Sequence, residues 1–185
     1  MLAAHRCDLS VRHPDRAACP PATRNDPGAS ERVLIYAMSR RGYGAICQLL
    51  SRARLRNEKG VARSTLDEVC ALARENVLAV AMVPSQLGIL REAFGDACYA
   101  LVARHRTAEE REHELALRAA AKDARVPIVA GNLTLYHSVA RRPLQDVLTC
   151  IRHGTTLAKA GRLLRPNAEC DLKSDAAMRL LFSDD

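Results

Sequence analysis

The segment RRPLQDVLTCIRHGTTLAKAGRLLRPNAECDL, running from Arg141 to Leu172, carries its own punctuation. Pro143 suits a first helical position, where the missing N–H costs nothing. Leu144, Val147, Leu148 and Ile151 recur at i, i+3, i+4 and i+7 and form one apolar stripe. Asp146 lies near the positive start of this helix, Arg152 and His153 lie near its negative end, and Gly154 supplies a left-handed stop. A second short helix is expected from Thr155 or Thr156 to Gly161, followed by a polar turn at Asn167-Ala168-Glu169.

Working outward, Pro127-Ile128-Val129-Ala130 reads as a strand feeding this helix. Three earlier apolar runs have the same texture: Val33–Tyr36, Val77–Val83 and Ala97–Val102. Helices fill the intervals. Ser39 caps one carrying Tyr43, Ile46, Cys47 and Leu50. Thr65 with Glu68, and Thr107 with Glu110, make capping boxes that open two more. Ser85 caps a short helix ending at Gly95, and Ser174 caps a last one. Strand-to-helix alternation with continuous apolar strands implies an α/β fold, a parallel sheet covered by helices. Chemistry in such folds sits at the carboxyl ends of strands, here Ala37–Arg41, Pro84–Gln86, Ala103–Arg106 and Gly131–His137. Residues 1–30 hold four of the eight prolines and show no sustained period, so they read as a disordered, basic, Pro-rich tail. Residues 31–185 are the folded part.

Composition narrows the class. A hydrophobic share of 48% is that of a globular core, and 3% aromatics with no Trp make that core aliphatic. No apolar run reaches the roughly 18 residues of a spanning helix, and the first residues lack a signal-peptide apolar region. No membrane partner is expected. Seven cysteines without a CxxC pair imply reduced, buried thiols and a cytoplasmic protein. The net charge of +7 permits a polyanionic partner without naming one. There is no GxSxG elbow, P-loop or GxGxxG, and no Asp-x-Asp pair of the kind that holds two ions for phosphoryl transfer. Gly42 and Gly44 read as helix packing or a close turn.

The words RRPLQDVLTCIRHGTT, the Ala160-Gly161 pair and PNAE at Pro166–Glu169 together resemble the bacterial error-prone DNA polymerase. That family is a C-family relative of the replicative polymerase III alpha subunit, and the similar region is the end of its PHP (polymerase and histidinol phosphatase) domain. RRGYGAICQLL, Arg40 to Leu50, and the Arg-rich run ending at Lys59-Gly60 also resemble the family. The similarity covers roughly Arg32 to Asp185. It implies a partial (β/α) PHP-type barrel of about four parallel strands, with no palm or fingers. An incomplete barrel would leave the strand at Val33–Tyr36 with an unpaired edge.

The resemblance also implies where chemistry would lie. Active PHP domains carry an Asp and a His as metal ligands just before RRPLQD. Matched position by position, these fall on Leu133 and Leu135, which have no lone pair to offer a cation. His137 is left over, and the family's opening H-x-H is absent. No catalytic residue, metal or cofactor is therefore expected here, although the parent family uses Mg for polymerisation. The expected function is a fragment of an error-prone polymerase, whose family performs template-directed synthesis in damage-induced translesion replication and repair. Alternatives are a non-catalytic module binding DNA or other replication or translesion proteins, and a stand-alone metal-dependent phosphoesterase. Candidate DNA contacts are Arg52, Arg54, Arg56, Lys59 and Arg63, with Arg141 and Arg142. The first group reads equally as a solvated helix end, and no aromatics interleave with it for base stacking.

Overall fold

The computed structural model describes residues 7–12, 31–58 and 62–184. The strands are β1 (Cys7–Arg12), β2 (Glu31–Ala37), β3 (Arg63–Thr65), β4 (Val77–Ala81), β5 (Cys98–Ala103) and β6 (Ile128–Gly131). The α-helices are α1 (Arg40–Leu55), α2 (Leu66–Cys70), α3 (Leu87–Phe94), α4 (Glu110–Asp123), α5 (Arg142–Arg152), α6 (Leu157–Ala160) and α7 (Asp175–Leu181). The chain is α/β, with an open sheet in the order β3-β1-β2-β4-β5-β6.

All four expected strands form. Their directions differ from the expectation of a parallel sheet. β4 and β5 are parallel, with Val80 opposite Tyr99, but β2 runs antiparallel to β4, with Ile35 opposite Ala79. Continuous apolar runs report that both faces are covered. They carry no information on strand sense, because either ladder satisfies the backbone equally. Nor is β2 left with an open edge. β1 pairs with it antiparallel, Leu9 opposite Val33, and pairs with β3 in parallel. A strand at Cys7–Arg12 is thus present in a stretch that read as aperiodic.

Contacts divide the chain into two compact units. The first comprises residues 1–101 and 115–129, the second residues 102–114 and 130–185. In the first unit the core is aliphatic. Val33, Leu34 and Ile35 of β2 and Ala79, Val80 and Ala81 of β4 are buried beneath Ile46 and Leu49 of α1 and Leu87 and Leu90 of α3. Local signals act as written. Ser39 Oγ accepts from Gly42 N at 3.2 Å to cap α1. Both halves of the Thr65–Glu68 capping box form at α2. Gly95 ends α3 at φ +55°. The buried face of α1 is Gly42, Ile46, Leu49 and Ala53, so Tyr43, expected in the stripe, is exposed. Gln86, at a strand end marked for chemistry, is fully buried and structural. Its Oε1 accepts from Met82 N and its Nε2 donates to Arg32 O.

Glu68 does more than close a capping box. Arg56 approaches it at 2.6 Å, and Ser64 and Thr65 N also donate to it. Arg56 first, and then Ser64, hold its carboxyl down from 4.5 to about 2. A lowered carboxylate contributes stability above its unfolded value and loses it as pH falls. The parent should therefore be more stable than Glu68→Gln at pH 6. That gap should close between pH 4.5 and about 2 when urea midpoints are compared.

In the second unit the expected punctuation of α5 also holds. Pro143 lies in its first turn and Gly154 takes φ +59° after its end. α6 follows and is stopped by Gly161 at φ +48°. The orientation of α5 is unexpected. A stripe such as Leu144, Val147, Leu148 and Ile151 ordinarily faces a core. Here all four are exposed, while Cys150 is buried and Gln145, Asp146 and Thr149 are half-buried.

Candidate functional site

The basic residues singled out in the sequence fall in both units. In the first, Arg52 and Arg54 are exposed in the last turns of α1, where cations oppose the negative helix end. Arg56 is engaged by Glu68, and its Nε also donates to Arg52 O at 3.3 Å. Arg63 is half-buried in β3, and its carbonyl accepts from Asn57 Nδ2 at 3.3 Å. Lys59 lies outside the described residues. In the second unit Arg141 is exposed at the start of α5. Arg142 is half-buried, with Nη2 donating to Arg165 O at 2.8 Å and Nε 3.7 Å from Asp146. Arg52, Arg54 and Arg141 therefore present their charge outward, whereas Arg56 and Arg142 are already matched.

The loop after β6 holds Leu133, Leu135 and His137, the positions singled out by the family resemblance. Its backbone is tightly placed. Leu135 N donates to Cys170 O at 2.8 Å, Leu172 N donates to Tyr136 O at 2.9 Å, and Tyr136 bridges Asp171. Asn132 Nδ2 donates to Asp171 O at 2.5 Å. Within this frame Leu133 is half-buried, Leu135 is exposed and His137 is exposed. A hydrocarbon side chain at both positions does not fit a divalent cation, however well the backbone is held. Among the described residues no three His, Cys, Asp or Glu side chains converge as a ligand set.

The second unit also joins two stretches that the sequence left separate. The end of β5, Arg104-His105-Arg106, meets the turn at Pro166–Lys173. Asn167 Nδ2 donates to His105 O at 2.6 Å, and Arg106 lies 3.5 Å from Glu169. Lys173 reaches Asp171 at 2.7 Å and Glu169 at 3.0 Å. Glu110 caps the arrangement. Its Oε2 accepts from His105 N at 2.7 Å and from Thr107 N at 3.2 Å, and its Oε1 lies 2.9 Å from His105 Nδ1. The Cys170 side chain and then Glu110 favour the protonated ring and outweigh burial, so the His105 pKa is raised. Only the Glu110 contact has hydrogen-bond geometry, since His105 Nε2 has no partner among the described residues. Asn132 Oδ1 and Tyr136 OH are also buried and without a hydrogen-bond partner there. The site is thus a polar, internally paired junction. Its exposed neighbours are basic or aliphatic, and it offers positioning and charge rather than a nucleophile poised on a base.

Comparison with known proteins agrees with the sequence words. The chain is 39% identical over 171 residues to the error-prone DNA polymerase of Anaeromyxobacter dehalogenans (strain 2CP-C), covering 85% of this chain and 15% of that polymerase. It is 36% identical over 165 residues to the error-prone DNA polymerase of Bradyrhizobium diazoefficiens, covering 82% of this chain and 14% of that protein. Error-prone DNA polymerase 1 of Rhizobium meliloti is 37% identical over 161 residues, again 82% of this chain and 14% of the relative. The chain thus spans about 15% of the length of the curated relatives it matches. No family model matches it. No helix among the described residues is long and apolar enough to cross a membrane.

Proposed function

We propose that this chain is a non-catalytic fragment of an error-prone DNA polymerase, built on a PHP-type scaffold and acting at DNA. The observation that carries this reading is the 39% identity over 171 residues to a polymerase of that name. Beside it stand Leu133 and Leu135, where the resembling domain would need metal ligands. The scaffold positions these residues, but without donors it cannot assemble ions to activate a water. The absence of an Asp-x-Asp pair from the chain points the same way for nucleotidyl transfer. Primer extension with Mg²⁺ and phosphoesterase assays with Mn²⁺ or Zn²⁺ should both stay at background. Turnover in either, lost on a structural control such as Gly42→Ala, ends the reading.

What remains is charge. Arg52, Arg54 and Arg141 are exposed on a chain of net charge +7. Each phosphate neutralised releases counterions and steepens the salt dependence of binding. We expect DNA affinity to fall with salt on a log–log plot. Replacing both Arg52 and Arg54 with Ala should flatten that slope by about 2 and weaken all sequences alike. A flat line for the parent, or an unchanged slope in the double variant, removes these residues from DNA contact. A cytoplasmic location fits this role and belongs to the same proposal.

A further inference from the structure

Base stacking needs an exposed ring. Of the four Tyr and two Phe in the chain, Tyr136 and Phe94 are buried, and Tyr36, Tyr99 and Phe182 are half-buried. Tyr43 is 46% exposed, on α1. Arg40, Tyr43, Cys47, Leu50 and Arg54 follow one another at steps of three or four residues, so they form one row along that helix. The row borders the buried face of Gly42, Ile46, Leu49 and Ala53. Its two ends, Arg40 and Arg54, are exposed, and Cys47 and Leu50 are half-buried. At ~1.5 Å of rise per residue, Arg54 stands about 16 Å along the axis from Tyr43, almost a whole number of turns. In linear order no aromatic interleaves with the arginines from Arg52 onward; the winding of α1 supplies one.

Charge identifies the occupant. α1 carries four arginines and no acidic residue. Arg40 and Arg41 stand in its first turn, at the positive end of the helix dipole, where a cation disfavours the helix. Glu75 answers Arg41 at 2.6 Å. A phosphate beside Arg40 would answer both that guanidinium and the dipole. We propose that the Arg40–Tyr43–Arg54 row of α1 holds single-stranded DNA, with one base stacked on the Tyr43 ring and backbone phosphates on the two guanidiniums. The inference rests on the DNA reading above and deepens it, because it selects the strand state. A duplex keeps its bases stacked on one another and offers the ring nothing, whereas a single strand presents a π-face at every base, whatever its sequence.

Fluorescence anisotropy of the full chain with a labelled oligothymidylate, set against a blunt duplex of the same length, tests this. The single strand should bind more tightly. Tyr43→Ala should weaken it roughly tenfold, the scale of one lost stack. The salt slope should not change, because no charge is removed. Tyr43→Leu keeps apolar bulk without a ring face and should match Tyr43→Ala, whereas Tyr43→Phe should bind as the parent does. Arg40→Ala should instead flatten the slope by about 1. Bound oligonucleotide should slow alkylation of Cys47, which lies in the row between the ring and Arg54. A parent that binds with a steep salt slope but is indifferent to Tyr43→Ala and Tyr43→Leu, or that prefers the duplex, overturns the stacking row and leaves the DNA reading standing. No binding to either form at low salt ends both.

Discussion

Gly42→Ala should destabilise the protein by about 3 kcal/mol or more, the range of overpacking against an unyielding neighbour. Gly42 is buried in the first turn of α1. A Cβ there would lie 2.9 Å from Glu75 O and closer still to Asn76 O. Both obstacles are backbone. The Asn76 carbonyl accepts from Met38 N at 2.9 Å, and Asn76 itself sits at φ +55°, a conformation with little room to shift. The helix cannot retreat either, because Gly42 N is held by Ser39 Oγ at 3.2 Å. Gly44, two residues on, has nothing within 4 Å of its added Cβ. Gly44→Ala should therefore stabilise by roughly 0.5–1 kcal/mol through helix propensity alone. Denaturant midpoints of the two variants measure the contrast. Equal midpoints would mean that α1 does not approach the Glu75–Asn76 turn this closely.

Arg104→Ala should cost about 3 kcal/mol, with its damage concentrated in α7. The guanidinium makes two bonds to Glu114, at 3.0 and 2.8 Å. It donates to Leu181 O at 2.9 Å, pairs with Asp184, and lies 4.7 Å from the centre of the Phe182 ring. Arg104 and Glu114 side chains are only 19% and 15% exposed, so truncating the cation removes two bonds from a largely desolvated carboxylate. Removing one member of such a pair costs roughly 3–5 kcal/mol when fully buried, and somewhat less here. Lys would keep the charge but not the two-pronged geometry, so Arg104→Lys should fall between parent and Ala. Hydrogen exchange of the amides in Asp175–Leu181 reads the local effect. Unchanged protection there in Arg104→Ala would show that α7 does not depend on this residue.

Several short-range signals survived into the structure, although Ser85, expected to cap α3, lies inside the 3₁₀ turn Pro84–Gln86, and Gln86 precedes α3 without a side-chain cap. Ser39, Ser174 and the Thr65–Glu68 box each cap the helix they mark, and Gly95, Gly154 and Gly161 each stop one. Such features depend on backbone groups within a few residues. Strand sense was not legible, because the apolar runs at Val33 and Val77 look alike whichever way they run. The strand at Cys7–Arg12 was hidden among prolines, since its ladder to β2 comes from tertiary pairing rather than from a periodic pattern. α5 misled in a third way. Its stripe gave the helix correctly, but a stripe alone does not fix which way the helix faces, and Leu144, Val147, Leu148 and Ile151 are exposed.

The junction at His105 shows the same limit. Its best clues, Arg104-His105-Arg106 and PNAE, are legible as words, but Asn167 bonds a carbonyl 62 residues away. No local rule relates them. Glu110 was read as half of a capping box with Thr107, and it does accept from Thr107 N. Its second role, holding the His105 ring, follows only once β5 and α4 are in place. Glu114 makes a two-pronged contact with Arg104 at the end of β5, ten residues away in sequence, a geometry stronger than a solvated helix pair worth a few tenths of a kcal/mol.

The most direct measurement is equilibrium dialysis of the full chain against Mn²⁺ and Zn²⁺, with bound metal quantified per chain. With Leu133 and Leu135 where ligands would stand, we expect no saturable binding and no change on His137→Ala. One tightly held ion per chain, released by that substitution, would contradict a scaffold that has lost its metal donors.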